Sequence, residues 1–367
     1  MRHKTSPGIQ TFLAFLLSAV FAAGLFYRLS AGEGLKMNTR SRESIAMDTV
    51  VRVSVTSDKT PEELDGILDG VFELIERLDG KLSMHNATSE ISLVNANAGR
   101  EAVRVSPETA EVLRSALEIT RLTDGAFDPT IGPVTALWQA GDAKKTRHEL
   151  PSDSEILEAL SLVDGKSLKE TAPNEFYLAR EGMRLDLGGI AKGYVSAAVR
   201  NFLESAGVES ALIDLGGNVL AVGSRPNGEP WRIGVQHPLQ SRGAPICSMS
   251  VENASVITAG VYERFVEIGG KRYTHIFDPR TGRPIEGNLL SVSVVAADPT
   301  IGDALSTAFM VMGENRSKLL LKELPGVETV FVSDKGSTPT VTATGGIIGL
   351  KVLNRASVNA ERHEEQR

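Results

Sequence analysis

The sequence predicts an α+β fold made of mixed, largely antiparallel sheets with packed helices. Three observations carry that prediction. Helical and strand-like segments come in blocks rather than in strict βαβ alternation. The stretch from Ser210 to about Val295 reads almost wholly as strand, with turns at Gly216-Gly217, Pro226-Asn227-Gly228, Gly269-Gly270 and Gly282. The chain has 367 residues, 41% hydrophobic and 23% charged, the balance of a globular protein with a sizeable core.

Taken in order, the first segment is an export signal. Arg2, His3 and Lys4 precede an uncharged apolar run from Thr11 to Tyr27, a basic region followed by a hydrophobic one. Residues 1–36 are therefore expected to be a signal peptide or an N-terminal membrane anchor. The body is expected at the periplasmic face of the inner membrane, anchored or soluble, because basic residues before the run stay cytoplasmic. Residues 37–44 lack apolar periodicity and read as a linker. A single domain, with room for two lobes, is expected over 45–353, and 354–367 is a polar tail.

Within the body, Ile45–Val55 is rich in Val and Thr and predicts a strand. Pro61–Leu78 places Leu64, Ile67, Leu68, Val71, Phe72, Ile75 and Leu78 at helical spacing behind Thr60-Pro61. Ser106-Pro107 opens a second helix to about Leu122, and Pro129–Trp138 predicts a short third. Gly141–Arg147 is a charged loop. Ser152 caps a helix to about Leu162, Leu168–Leu185 predicts strand segments, and Gly189–Ala206 predicts a helix. Thr300–Leu324 reads as a helix broken at Gly313, followed by closing strands at Val327–Val332 and Val341–Val352.

Acidic residues outnumber basic ones by 46 to 39, for a net charge of −7. That balance implies no nucleic-acid partner. A lone cysteine, Cys247, supports neither an intramolecular disulfide nor a multi-cysteine metal site. The phosphate-loop, dinucleotide-fold, zinc-protease and serine-hydrolase motifs are all missing.

Five constellations can carry chemistry. Asp186-Leu187-Gly188-Gly189 ends a strand-like run and leads into a helix, with Lys192 in its first turn. Free N–H groups, a positive dipole end and a lysine suit phosphate, although a plain strand–turn–helix corner has the same residues. The tetrad recurs at Asp214-Leu215-Gly216-Gly217, either a second turn facing the same ligand or an ordinary hairpin. Asp303 and Thr307 share a helix face at i and i+4, with Ser306 adjacent as a substitute for Thr307. Their hard oxygens suit Mg²⁺ or Ca²⁺, and an acidic residue near a helix start is also common. His275 lies between a strand and the Asp278-Pro279-Arg280-Thr281-Gly282 turn, a place for a proton-transfer residue. Phe127 can stack on a planar ring beside Asp128, and Tyr262 or Arg264 can contact a ring or a phosphate. Together these are the parts for binding a nucleotide pyrophosphate and for metal-assisted phosphoryl transfer.

The segments DGAFDPT at 124–130, DLGGIAKGY at 186–194, DLGGN at 214–218, YERF at 262–265, HIFDPRTG at 275–282 and DALSTA at 303–308 resemble, in order, those of the ApbE family of FAD:protein FMN transferases. The resemblance covers roughly Ile45 to Leu353 and implies an ApbE-like fold. It implies Mg²⁺-dependent cleavage of FAD, transfer of FMN to a Thr or Ser hydroxyl of an acceptor flavoprotein carrying a flavinylation motif, and release of AMP. It further implies flavin contacts at Met47, Ala126, Phe127, Asp128 and Phe277, and FAD contacts at Asp186 and Lys192. Magnesium ligands are implied at the Gly189 carbonyl, Asp303 and Thr307, and a functional histidine at His275. The general base is then His275 or an aspartate such as Asp278. Three departures stand out. His85 occupies the place of a flavin-contacting tyrosine, Val261 that of an aspartate, and no lipid-bearing cysteine follows the apolar run. Two other activities fit the same residues, an FAD pyrophosphatase giving FMN and AMP and a non-catalytic exported flavin carrier or maturation protein.

Overall fold

A computed structural model of the chain describes residues 37–139, 149–336 and 338–353, and the backbone of 359–362. The expected export segment and the charged loop Gly141–Arg147 lie outside the described residues.

The chain starts with a hairpin of β1 (Asn38–Ala46) and β2 (Thr49–Ser57), closed by the pair Ala46 and Thr49. Residues 38–44, expected as a linker, thus form a strand. Its side chains are mostly exposed and it is joined to β2 by polar contacts such as Thr39–Thr56 and Ser41–Ser54, each 2.9 Å. A polar edge strand of this kind has no hydrophobic alternation to reveal it.

Helix α1 (Pro61–Leu82) begins with a capping box: Thr60 accepts from the Glu63 N–H and Glu63 accepts from the Thr60 N–H. A short helix α2 (Glu90–Ala96), capped by Ser89, was not predicted, because seven residues barely show helical periodicity. After β3 (Val103–Arg104) come α3 (Pro107–Leu122), α4 (Gly132–Trp138) and α5 (Asp153–Leu160), the last with a second capping box. Strands β4 (Leu168–Ala172) and β5 (Glu175–Leu178) pair with β3 in a small sheet. Helix α6 (Ala191–Ser205) follows the Asp-Leu-Gly-Gly corner.

The expected β block then runs through β6 (Ser210–Leu215), β7 (Asn218–Val222), β8 (Trp231–Gln236), β9 (Pro245–Val251) and β10 (Ala254–Gly260). It continues through β11 (Phe265–Ile268), β12 (Lys271–Thr274), β13 (Phe277–Asp278), β14 (Arg283–Pro284) and β15 (Leu289–Ala296). Helix α7 (Pro299–Leu321) is interrupted at Gly313, with φ 76° and ψ 165°. Strands β16 (Glu328–Asp334), β17 (Pro339–Ala343), β18 (Lys351–Val352) and β19 (Asn359–Arg362) end the chain.

The main sheet has nine strands in the order β1-β2-β6-β7-β10-β15-β16-β17-β19, antiparallel except for the parallel β17/β19 pair. Side-chain alternation sends its residues to two different cores. Val51, Val53, Val55 and Phe331 join the core formed with α1, α6 and α7. Val330, Val332 and Val341 face the core shared with β8 and β9, which pair with β18 in a second sheet. The fold is therefore the predicted α+β class, with helices on one face of an almost wholly antiparallel sheet and a second sheet on the other.

Candidate active site

A cavity of about 560 Å³ opens where the β1–β2 turn, the C-terminal end of α1, the 126–128 loop, the 186–192 corner, the 258–279 region and α7 meet. Its volume is typical of small-molecule sites. The structure brings most of the sequence-predicted residues to its wall. Met47 and His85 line it, as do Ala126, Phe127 and Asp128. Asp186, Gly189 and Lys192 line it beside Asp303, Ser306 and Thr307, with Arg264, His275 and Phe277 completing the wall.

The corner at 186–193 is built by its glycines. The Asp186 carboxylate accepts the Gly188 N–H at 2.8 Å and so fixes the turn. A Cβ on Gly189 would lie 3.1 Å from Thr307 Oγ1 and 3.2 Å from the Phe127 ring. Gly189 therefore lets backbone, hydroxyl and ring converge. A Cβ on Gly193 would lie 2.2 Å from the Pro299 carbonyl oxygen, so this glycine is what allows α6 to cross α7 closely. The Gly193 N–H donates to Asp303 Oδ2 at 2.9 Å, which ties the two helices together. Helix α6 starts at Ala191, two residues later than expected, and its first turn has no side-chain cap. Lys192 stands in that turn, its Nζ donating to the Gly188 carbonyl at 3.2 Å.

The residues present fit a hard divalent cation. Asp303 is buried, and its second carboxylate oxygen has no hydrogen-bond partner among the described residues. The Thr307 hydroxyl and the Gly189 backbone stand close together. Ser306, the alternative hydroxyl, already donates to the Asp303 carbonyl at 2.8 Å. Among the described residues no group of three or more His, Cys, Asp or Glu gathers anywhere. A cation here would depend on one carboxylate, neutral oxygens and ligand oxygens, which suits magnesium better than zinc.

His275 is held by the chain segment that precedes β11. Its Nδ1 lies 2.9 Å from the Arg264 carbonyl oxygen, and its backbone N–H donates to the same oxygen at 3.2 Å. A carbonyl only accepts, so Nδ1 carries the proton and Nε2 has the free lone pair. Burial lowers the imidazole from its ordinary 6.5 to about 4, with the nearby charges of Arg264 and Lys192 acting in the same direction. The side chain is thus a neutral acceptor over the whole physiological range.

Asp128 braces the part of the wall that carries Phe127. It accepts from the Thr130 N–H and hydroxyl at 2.8 and 2.6 Å and from the Gly165 N–H at 2.8 Å. Burial raises its carboxyl above the ordinary value in spite of these bonds. Phe277 packs with Trp138, ring centroids 5.9 Å apart, and the Trp138 indole N–H donates to the Gly282 carbonyl at 2.9 Å.

Three candidates do not reach the cavity wall. Asp214 accepts the Gly217 N–H at 2.8 Å and serves the β6–β7 turn. Of that second tetrad Gly216 lines the cavity, as does Asn218, the residue just after it, which is buried and whose amide nitrogen has no hydrogen-bond partner among the described residues. Tyr262 packs under Gly260, a Cβ there meeting its ring at 2.9 Å, and burial pushes its phenol up to about 12. Asp278 is clamped by the Arg280 guanidinium at 2.8 and 2.7 Å. Burial acts to raise the Asp278 carboxyl, but Arg280 outweighs it and holds the group below its ordinary value. Sequence reasoning missed Asp79, Arg242 and Glu263, which also line the cavity. Asp79 and Arg242 sit on ordinary helical or loop patterns with no motif to single them out, and Glu263 lies inside the YERF segment between Tyr262 and Arg264, the two residues whose chemistry suits a ring or a phosphate. Val261, at the place of the missing carboxylate, packs against the main core.

Comparison with known proteins agrees with this geometry. The ApbE family model matches residues 47–331. An FAD:protein FMN transferase of Treponema pallidum is 35% identical over 334 residues, covering 87% of this chain and 90% of its own length. One from Klebsiella pneumoniae is 36% identical over 271 residues, covering 73% and 83%. The crystal structure of the ApbE protein from Thermotoga maritima superposes with a TM-score of 0.74 at 33% identity, covering 82% of this chain and 96% of that one. The flavin transferase ApbE from Vibrio cholerae gives 0.74 at 26%, covering 84% and 97%. On the extent of these matches and the cavity they enclose, the chain belongs to the ApbE family.

Proposed function

We propose that this protein is an FAD:protein FMN transferase that works with Mg²⁺, moving FMN from FAD to a Thr or Ser hydroxyl of an acceptor flavoprotein and releasing AMP. The observation that carries the reading is the meeting of Gly189, Thr307 and Asp303 at the α6–α7 crossing, beside Lys192 and in the same cavity as a neutral imidazole.

Lys192 and the uncapped first turn of α6 hold the pyrophosphate. Phe127, Met47 and Phe277 take the flavin ring, and Asp128 keeps the Phe127 loop rigid. Asp303, Thr307 and the Gly189 carbonyl would hold the magnesium ion, whose chemistry in such a donor set is neutralisation of charge on phosphate oxygens. The acceptor hydroxyl oxygen attacks the FMN phosphorus, the bond to the bridging oxygen breaks, and AMP departs with that oxygen. The hydroxyl proton passes to Nε2 of His275, whose orientation the Arg264 carbonyl fixes.

Val261 places a packed apolar side chain where a carboxylate could assist an acceptor, which favours, as a second reading, hydrolysis of FAD to FMN and AMP. The basic and apolar N-terminal segment supports export to the periplasmic face of the inner membrane. Intact mass of an acceptor domain with a Thr/Ser flavinylation motif tests the main reading, after incubation with this protein, FAD and Mg²⁺. A gain of one FMN less water, abolished by EDTA, is expected. AMP release with an unmodified acceptor would establish the hydrolase instead.

A further inference from the structure

The turn that joins β1 to β2 is conformationally costly. Its two central residues, Met47 and Asp48, have φ of 52° and 56°, and the pair Ala46–Thr49 closes the hairpin around them. Left-handed backbone at both central positions is the geometry of a type I′ turn, which favours Asn and Gly. Methionine is poorly suited to it and aspartate only moderately so. Strain of this kind persists only where surrounding structure over-determines it, and it tends to gather at ligand sites.

Here the surroundings do over-determine it. Asp79, near the end of α1, accepts the Met47 N–H through Oδ2 at 3.1 Å. Arg264, from the segment before β11, donates from Nη2 to the Asp48 carbonyl at 3.1 Å. Gly216 of the β6–β7 turn sits so close that a Cβ on it would lie 2.1 Å from Thr49 Oγ1. Three elements distant in sequence thus converge on one two-residue turn, and Met47, Asp48, Asp79 and Arg264 all line the cavity. The same Arg264 residue also holds His275 through its carbonyl.

We propose that Asp79 and Arg264 are positioning residues that clamp the Met47–Asp48 turn in its left-handed form, and that this clamp sets the affinity of the cavity for the flavin nucleotide. The affinity half of the proposal rests on the flavin reading above; the clamp itself does not. Asp79→Ala removes the acceptor for the Met47 N–H and lets the turn relax. Asp79→Asn keeps an oxygen acceptor. Asp48→Gly removes the cost of positive φ at one of the two positions.

Two readouts separate the parts. Hydrogen exchange over residues 46–50 of the full chain, without ligand, should be at least tenfold faster in Asp79→Ala than in the native protein and near native in Asp79→Asn. FAD titration, followed by flavin fluorescence, should show binding about tenfold weaker in Asp79→Ala and nearly unchanged in Asp79→Asn. Adding Asp48→Gly to Asp79→Ala should recover most of the lost affinity, and KM for FAD should rise in Asp79→Ala more than kcat falls. Unchanged exchange in Asp79→Ala overturns the clamp. Equal damage from Asn and Ala, or no recovery with Asp48→Gly, also overturns it, since the carboxylate would then act by charge or direct contact. Failure of the native protein to bind FAD would overturn the flavin reading and the affinity half together, while the exchange result would still decide the clamp.

Discussion

The Arg264 carbonyl oxygen receives both the Nδ1 proton and the backbone N–H of His275, at 2.9 and 3.2 Å. One oxygen therefore fixes the ring's tautomer and anchors the start of the segment after β12. The consequence for activity is a pH dependence set by the burial of this ring.

Burial holds His275 at about 4, so its Nε2 is free to accept a proton at all pH values well above that. The acid limb of kcat/KM for FMN transfer should be centred near 4 rather than near the 6.5 of free histidine. A limb at about 6.5 would remove His275 as the base or show that its surroundings are wetter. Stability moves in the linked direction. Below about 6.5 the unfolded chain takes up this proton before the folded one does, so the contribution to stability is complete above 6.5 and is lost as pH falls toward 4.

Asp303→Asn keeps an oxygen to accept the Gly193 N–H and removes the charge a cation needs. We expect Mg²⁺-dependent AMP release to fall at least 100-fold, with a melting temperature within a few degrees of native. Asp303→Ala should lose activity equally, and its unpaired buried N–H should cost a further ~1–3 kcal/mol of stability. Turnover unchanged in Asp303→Asn would take this carboxylate out of the chemistry.

Two glycines of one motif should fail differently. In Gly189→Ala the added methyl reaches Thr307 Oγ1 and the Phe127 ring at just over 3 Å. Activity should drop about tenfold or more while stability changes little. In Gly193→Ala the methyl meets the Pro299 carbonyl at 2.2 Å and Asp303 Cβ at 2.7 Å, so overpacking should cost ~1–3 kcal/mol or more. Chemical denaturation beside an activity assay separates them. Equal stability loss in both would mean the 189 corner is packed as tightly as the helix crossing.

Asn218 offers a test in which stability and binding part company. Its buried amide nitrogen has no partner among the described residues, so Asn218→Ala should leave the melting temperature equal or higher, because an unsatisfied donor costs rather than gives stability. If that donor serves the flavin, FAD should bind about 5- to 20-fold more weakly, as a titration of the purified variant would show. A variant that melts lower and binds FAD normally would make Asn218 a structural residue.

The thiol of Cys247 is buried, and burial pushes it up to about 12. It should resist alkylation in the native protein and react only on unfolding. Rapid labelling at pH 8 without denaturant would show that the second core opens readily.

By itself the sequence determined what is local. The caps at Thr60 and Ser152, the break in α7 at Gly313, and the Asp303 and Thr307 face all lie within a turn or two of chain, where helical geometry alone sets the neighbours. The Asp-Leu-Gly-Gly corner with Lys192 was legible for the same reason. Its second copy was misleading, because a repeated tetrad does not say whether its aspartate or a neighbouring residue faces the cavity. Asp214 turned inward to its own hairpin while Asn218 reached the cavity. Only the tertiary structure could decide that Asp79 and Arg264 grip Met47 and Asp48, or that Arg264 holds His275. Those partners are separated by 32, 216 and 11 residues. Their meeting depends on how α1 and the antiparallel sheet stack against one another, and the burial that lowers His275 exists only once those layers close.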